Sequence, residues 1–401
     1  MNKKIMILGG GTNQYPFVMA AHKMGLVVVL CDMDPNNMSI DYADIFYEVS
    51  IIEKNKLLEI AINENIDGIF TSSEPGMYSV SYIAEKLSLP SIPYQSFLTL
   101  VNKSKMKKFL ENNDFNYPNY IQINQDYNFE ELVNDLDGWK SKIIVKPIDS
   151  SGSRGVNLVD DLDKLNHFLD EAFSYSKSKN VIIEEYIEQK YDFMIGGDIF
   201  VMNKDVVFWG IMDSMRNLEV NDIVPTGTSF PTSITDMELR QVKQVIKKVI
   251  KLLGINFGPL NIEIMYDKSG KLYINELNPR SGGNKIPEIL MKATGFDYYV
   301  NVCLGACGLD GTKYEKDKIK YLSTYVIHSK RTGIFSDIFI SDEISDNIIE
   351  LTIDKQTGDK VKKFSNAHEK IGIMFLEFEN SKEMKVKLKN INEYIKVNLQ
   401  R

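Results

Sequence analysis

The residues with the clearest potential for chemistry lie in NIEIMYDKSGKLYINELNPRSGG, residues 261–283. Glu276 and Asn278 stand two apart in a predicted strand, so their side chains share a face, and Glu263 of the preceding strand can lie beside them. Two carboxylates and an amide oxygen suit magnesium, which combines a few such ligands with phosphate oxygens. Arg280, just beyond, offers a planar fork to a carboxylate or phosphate. The alternative is a half-exposed strand whose acids are solvated.

A second segment with potential phosphate chemistry begins at Lys146, in VKPIDSSGSRGV. A lysine at the end of an apolar strand is costly to bury unless it meets an anion, and the small residues at 150–155 can lay backbone N–H groups over phosphates. The segment is not a Walker loop, because no Gly-Lys-Ser/Thr ends it and a hairpin is expected to follow. The alternative is a surface hairpin from which Lys146 extends into solvent.

The elements that must position these residues form an α/β unit followed by an α+β unit. Up to about residue 100, apolar runs alternate with amphipathic stretches, which predicts a parallel βαβ unit with a helix at about 78–88. From 120 to 211, hairpin signals, including one across Asn203-Lys204, predict an antiparallel-rich unit. Residues 212–233 show little periodicity and predict a loop long enough to be functional.

The second half of the chain contains a strong helix signal and a strong hairpin signal. Thr235 to Glu238 fits a capping box, and apolar residues then repeat at helical spacing until Gly254. The two strands of 261–283 are predicted to be joined through Lys268-Ser269-Gly270. The Lys/Glu-rich residues 313–320 predict a linker, and the remaining tail predicts strands with a closing helix near 380–394.

Composition excludes several classes of protein. The 401 residues allow two to three domains with cores large enough to be stable without disulfides or structural metals. The three cysteines match neither a disulfide framework nor a zinc ribbon, so a cytoplasmic location is expected. A net charge of -8 argues against a general nucleic-acid binder. The N-terminal apolar run is too short for a signal peptide, and no run approaches the roughly 18 apolar residues of a membrane span.

Three weaker signals have simpler interpretations. Gly9-Gly10-Gly11, with Asp32 ending the next strand, partly matches a dinucleotide fingerprint, but Gln14 replaces the third glycine and a tight turn is favoured. The lysines at 103, 105, 107 and 108 predict a basic helical face that is mostly solvated. The four histidines show no metal-binding spacing.

The order of these motifs closely resembles the ATP-grasp superfamily. The motifs are Lys103 in NKSKMKKFL, Lys146 with its Gly/Ser loop, the segment Glu184-Glu185-Tyr186-Ile187, Glu263, and the run Asn275-Glu276-Leu277-Asn278-Pro279-Arg280. The resemblance covers nearly the whole chain. It implies a Rossmann-like pre-ATP-grasp domain at 1–100, a two-lobed ATP-grasp domain at 101–310 with a lid at about 115–190, and a small C-terminal lobe at 311–401, as in single-chain carboxylate-amine ligases.

The resemblance also implies roles for individual residues. Lys103 and Lys146 would contact the phosphates of ATP, under a lid loop at 149–156 that includes Ser151, Gly152 and Ser153. The backbone of Glu184, Glu185, Tyr186 and Ile187 would meet adenine, and Asp192 is the candidate for ribose. Glu263, Glu276 and Asn278 match ligands of Mg²⁺, for which Mn²⁺ could substitute, and Arg280 matches the arginine that steadies an acyl phosphate.

The implied activity is ATP-dependent ligation of a small carboxylic acid to an amine through an acyl phosphate. In the main alternative, the acid is bicarbonate and the enzyme forms a carboxyphosphate. A nucleotide-binding regulatory protein and a nicotinamide oxidoreductase are further alternatives. The expected partners are small molecules, with neither nucleic acid nor membrane, and the resemblance implies a homodimer. The acid and the amine are not readable from the sequence.

Overall fold

The computed structural model describes residues 3–139, 142–150, 152–312 and 319–400. The chain begins with a four-stranded parallel sheet in the order β3-β2-β1-β4. Its inner strands are continuous buried apolar runs, which confirms the predicted parallel βαβ unit. The strands are β1 Lys4–Leu8, β2 Val27–Asp32, β3 Ile45–Glu48 and β4 Gly68–Phe70, and the helices are α1 Tyr15–Lys23, α2 Lys54–Glu64 and α3 Glu74–Leu87.

A second four-stranded sheet, in the order β5-β8-β6-β7, is entirely antiparallel and carries its own apolar core. Its strands are β5 Tyr120–Asn124, β6 Ile143–Pro147, β7 Asn157–Val159 and β8 Asn180–Glu185. The helices before and between these strands are α4 Tyr94–Leu100, α5 Lys103–Asn112, α6 Phe129–Asp135 and α7 Leu165–Tyr175. Helix α5 begins after Asn102, whose side chain accepts a hydrogen bond from the backbone of Lys105 at 3.0 Å.

The largest sheet has eight strands in the order β13-β12-β9-β10-β11-β14-β18-β16. Both predicted hairpins lie in it, and Asn203 and Lys204 adopt the positive φ angles of the turn between β9 and β10. Three strands of the tail continue this sheet, and the predicted domain boundaries stay predictions. The strands are β9 Phe193–Met202, β10 Asp205–Asn217, β11 Asn221–Phe230, β12 Phe257–Tyr266, β13 Leu272–Asn278, β14 Tyr321–Ile327, β16 Ile348–Ile353 and β18 Gly372–Phe378.

The prediction of a long loop at 212–233 is wrong, because β10 and β11 occupy most of this segment and lie inside the large sheet. Their buried residues include polar ones that bond to residues outside the two strands, so the apolar alternation expected of a strand is absent. The hydroxyls of Thr228 and Thr324 lie 2.8 Å apart, and the Asp213 carboxylate accepts hydrogen bonds from Thr232 and the backbone of Ser233.

The remaining elements complete the packing around the large sheet. Helix α8 begins with the predicted capping box at Thr235 and Glu238. The predicted linker lies largely outside the described residues. Across those residues, none of the helices has the length and apolar character needed to cross a bilayer. The elements are α8 Asp236–Leu252, α9 Ile286–Thr294, α10 Tyr298–Ala306, α11 Asp342–Ser345, α12 Ser381–Lys389 and α13 Ile391–Tyr394, with a small sheet of β15 Gly333–Ile340, β17 Lys360–Val361 and β19 Ile395–Leu399.

One continuous apolar core joins the parallel sheet to the large sheet through helix α10. It contains Ile5 of β1, Phe17 of α1 and Phe200 of β9, and the α10 residue Cys303 places its thiol 3.3 Å from the Phe17 carbonyl oxygen. This shared core fixes the loops at the carboxyl edge of the parallel sheet relative to the loop that follows β13.

Candidate functional site

The hairpin of β12 and β13 brings the predicted magnesium ligands together. Glu263 lies directly opposite Glu276, and Asn261 lies opposite Asn278, so all four side chains belong to one face of the sheet. Burial and the neighbouring charge of Glu276 raise the pKa of Glu263. Burial opposes ionisation of Glu276 as well, but Lys103, Lys146 and Arg280 outweigh it and hold its pKa below the ordinary value.

This donor set fits a magnesium ion that is also bound to phosphate. Two facing carboxylates repel each other, which adds to burial in raising the pKa of Glu263, and a cation between them would relieve that repulsion. Where the structure describes the chain, no group of three or more His, Cys, Asp or Glu side chains is arranged to hold a metal ion. Two carboxylates and one amide are an incomplete shell, and phosphate oxygens can complete it.

Lys103, the first residue of α5, links this hairpin to the Gly/Ser loop. Its ammonium lies 3.3 Å from the Glu276 carboxylate and donates a hydrogen bond of 2.9 Å to the carbonyl of Ser150. The loop turns through Gly152, Ser153 and Gly155, all at positive φ. The predicted lid residue Ser151 lies outside the described residues. The structure therefore brings Lys103, the loop and Glu276 to one place.

Lys146 is buried, and its ammonium lies 2.8 Å from the carboxylate of Glu184, which is on the same face of the neighbouring strand. The other carboxylate oxygen of Glu184 lies 3.2 Å from the ammonium of Lys107. Burial would raise the pKa of Glu184, but the two lysine charges hold it below its ordinary value. Lys107 is 2% exposed, so the prediction of a solvated lysine face is wrong at this position.

The other residues of the predicted adenine segment have separate environments. The carboxylate of Glu185 accepts a hydrogen bond from Asn119 at 2.9 Å, and the backbone N–H of Tyr186 donates to the carbonyl of Lys142. Ile187 is buried against Met265 and Tyr273. The adenine contacts of this segment stay predictions.

Asp192, the ribose candidate, is exposed just before β9. Within the described ranges, no ion pair or hydrogen bond links it to the lysines or to the hairpin. The neighbouring Lys190 and Tyr191 both bind the carboxylate of Glu238, at 2.9 and 2.7 Å. The ribose assignment therefore stays a prediction.

Arg280 lies between the hairpin and the parallel sheet. Its Nε is 3.3 Å from the carboxylate of Glu74, the first residue of α3, and its Nη1 donates to the carbonyl of Ser281 at 2.7 Å. Glu74 was missed from the sequence because the two residues are 206 positions apart. The surrounding depression is lined by Glu74, Leu100, Val101, Lys103, Asp149, Ser150, Glu276, Asn278, Pro279 and Arg280.

A fully buried carboxylate, Asp198 of β9, holds the backbone just after Arg280. It accepts hydrogen bonds from the backbone N–H of Gly282 at 2.8 and 3.0 Å and from the Asn261 amide at 2.9 Å. Burial raises the pKa of Asp198 to about 7, although these hydrogen bonds oppose the shift. The sequence signal for this residue is an aspartate within the apolar run GGDIFVM.

Substitution Gly282→Ala should displace the loop that follows β13 and contains Arg280. A Cβ atom at this position would lie 2.6 Å from the Asn261 amide nitrogen and 2.7 Å from Cδ1 of Ile286. A shift of about 1 Å can lower turnover by about 10²-fold, and overpacking costs about 1–3 kcal/mol of stability. Steady-state turnover and the melting temperature measure both effects. Gly283→Ala is the matched control, because a Cβ there meets nothing within 4 Å. Equal turnover in the two variants would contradict the prediction that Gly282 keeps Arg280 in place.

The glycine turn after β1 has the simpler interpretation. The backbone N–H of Gly10 donates to the Asp32 carboxylate at 2.5 Å, and a second oxygen of Asp32 accepts from the backbone of Asp34 at 2.8 Å. The Asn37 side chain packs so close to Gly10 that a Cβ would lie 2.0 Å from its oxygen. Asp32 therefore stabilises a tight turn.

Comparison with known proteins agrees with this geometry. Residues 100–284 match the ATP-grasp domain family. The carbamoyl phosphate synthase large chain of Pseudothermotoga lettingae is 24% identical over 298 residues, which are 70% of this chain and 26% of the synthase. An uncharacterized protein of Sinorhizobium fredii, y4rH, is 23% identical over 305 residues, 73% of this chain and 61% of that protein. The chain thus spans about a quarter of the length of the synthase.

Two solved structures cover the full chain. Phosphoribosylglycinamide synthetase from Anaerococcus prevotii has a TM-score of 0.71 and 25% identity, with 100% of both chains covered. The L-amino acid ligase from Bacillus licheniformis has a TM-score of 0.76 and 18% identity, with 100% of this chain and 99% of the ligase covered. The motifs, the depression that they line and the matched residues lead to one conclusion: residues 100–284, less than half of the chain, match an ATP-grasp domain.

Proposed function

We propose that the protein is an ATP- and Mg²⁺-dependent ligase that joins a small carboxylic acid to an amine and releases ADP and phosphate. One observation carries the proposal: Arg280 lines an outer depression, Lys146 lines an inner one, and the two adjoining depressions share Leu100, Lys103 and Glu276. Glu263 faces Glu276 from the neighbouring strand. The names of the similar synthetase, ligase and synthase support the same class of reaction.

The proposed reaction has two steps. A carboxylate oxygen of the acid attacks the γ-phosphorus of ATP, the bond to the β,γ-bridging oxygen breaks, and ADP leaves. The amine then attacks the acyl carbon, phosphate leaves with the electron pair of the broken bond, and the amine loses a proton. The first step brings two anions together, so catalysis depends on positive charge around the phosphoryl group.

The residues of the chain have distinct tasks in these steps. Lys103 and Lys146 bind phosphate oxygens, while Arg280 orients the carboxylate of the acid through its planar fork. Mg²⁺, held by Glu263, Glu276 and Asn278, would neutralise the phosphate oxygens as charge moves towards ADP. The Gly/Ser loop at 149–156 covers the phosphates and excludes water, which would hydrolyse the acyl phosphate.

Bicarbonate as the acid is a second candidate. The matching region of carbamoyl phosphate synthase and the likeness of the fold to N5-carboxyaminoimidazole ribonucleotide synthetase from Thermotoga maritima favour it. The same lysines, carboxylates and Arg280 would then bind ATP and bicarbonate. A homodimer and a cytoplasmic location remain predictions from the sequence.

The decisive experiment measures phosphate release from Mg-ATP by the purified protein. Amino acids and small carboxylic acids are supplied singly and in pairs, with and without bicarbonate, and products are identified by mass. Release that requires both an acid and an amine, with a condensed product, supports the ligase. Release that follows bicarbonate favours the second candidate, and no release with any pool contradicts both.

A further inference from the structure

Lys107 is a buried lysine for which the proposed reaction has no task. It lies on α5, one helical turn after Lys103, and lines the inner depression together with Lys146 and Glu276. An ammonium group is costly to bury, so its burial requires a compensating charge. Burial and the nearby charge of Lys146 lower its pKa to about 8, although Glu184 opposes the shift.

The compensating charge is the carboxylate of Glu184, which Lys107 shares with Lys146. The Lys146 ammonium lies 2.8 Å from one carboxylate oxygen, and the Lys107 ammonium lies 3.2 Å from the other. Among the described residues, neither the Lys107 ammonium nor that second oxygen has a hydrogen-bond partner. Their contact is an ion pair at short distance without hydrogen-bond geometry, and both groups are almost fully buried.

The charges of this triad matter when a nucleotide binds. With Lys107, the triad of two lysines and one glutamate carries a net charge of +1. Without Lys107, the charge of Lys146 is cancelled by Glu184. If Lys146 then moved towards a phosphate, Glu184 would remain buried without a counter-ion, a strongly unfavourable state.

We propose that Lys107 is a positioning residue that retains Glu184 as an ion-pair partner and so leaves Lys146 available to the phosphates of ATP. The inference rests on the proposed function, because it requires ATP to bind in this depression. Lys107 acts through Glu184 and Lys146, and the exposed Lys105 and Lys108 on the same helix have no part in it.

The test is the affinity for Mg-ATP, measured by titration calorimetry, of the parent and of Lys107→Met, which keeps the apolar stem and removes the charged end of the side chain. The variant should bind at least about tenfold more weakly, because Glu184 holds Lys146. Adding Glu184→Gln to Lys107→Met should recover most of this loss, because Lys146 is then released. Lys108→Met, an exposed neighbour on α5, is the matched control and should bind like the parent.

A purely structural role for Lys107 predicts a different pattern. Lys107→Met would then lower the melting temperature without changing affinity, or the second substitution would fail to restore binding, and either result overturns the proposal. If Lys107→Met does not fold, the comparison uses Lys107→Arg, which keeps the charge and should bind ATP within about threefold of the parent; a tenfold loss there would also overturn it. A parent that binds no Mg-ATP would contradict the proposed function itself, whereas a binding parent with unchanged variants contradicts only this inference.

Discussion

Glu276→Gln is expected to abolish magnesium-dependent turnover while leaving the fold intact. The Glu276 carboxylate faces Glu263 across the hairpin, lies 3.3 Å from the Lys103 ammonium, and has a pKa held below its ordinary value by surrounding cations. Glutamine keeps the size of the side chain but removes the charge that would bind the metal. Loss of such an electrostatic contact lowers turnover by about 10²-fold or more. Phosphate release, followed as a function of magnesium concentration, measures the effect.

The matched control for this substitution is Glu350→Gln. Glu350 pairs with Lys292 at 3.2 Å on the surface, and both side chains are 45% exposed, so its loss should change neither turnover nor the melting temperature appreciably. Parental turnover and an unchanged magnesium requirement in Glu276→Gln would refute the metal assignment. A large drop in the melting temperature of Glu276→Gln would show instead that Glu276 stabilises the fold.

Arg280→Met should lower turnover by about 10²–10³-fold and leave the affinity for Mg-ATP close to the parental value. Arg280 lines the outer depression. It lies between the predicted magnesium ligands and Glu74, where the acid would enter. Methionine removes the guanidinium and preserves much of the apolar stem. Turnover with the acid and amine identified by the pool assay, together with ATP titration, separates catalysis from nucleotide binding.

Two further variants sharpen this prediction. Arg280→Lys keeps one positive charge but cannot form the planar fork, so it should recover only part of the activity. Arg240→Met, on the exposed face of α8, is the matched control for loss of an arginine. Equal turnover in Arg280→Met and Arg240→Met would exclude Arg280 from the reaction, and a parallel loss of ATP affinity would place it on the phosphates instead of the acid.

The parts of the fold and site that were predictable follow from local patterns. Strand alternation around Glu276 and Asn278 and the intervening Lys268-Ser269-Gly270 turn were enough to place Glu263 beside them. The capping box at Thr235 is also a local motif, and it begins α8 as expected. Patterns of this kind depend on residues close together in sequence, so no tertiary information was needed.

Other features depended on contacts that no local pattern contains. The buried hydroxyls and carboxylate of β10 and β11 made two central strands look like a loop, because each polar group has its partner on another segment. Lys107 lies on helix α5, and its burial depends on Glu184, which lies on strand β8. The spacing of four between Lys103 and Lys107 placed both on one helical face and was the available signal.

The core that runs from the parallel sheet through α10 into the large sheet has a consequence for how proteins with this fold can diversify. The loops that face Arg280 from the first unit include the start of α3, where an exchange of sequence would alter what the outer depression accepts. A recombination that replaced residues 1–100 alone would cut through the packing of Phe17 against Tyr298 and Tyr299. Transfer of the first unit together with α10 would keep the contacts of Phe17 with Tyr298 and Tyr299, so an exchange of the first unit should include α10.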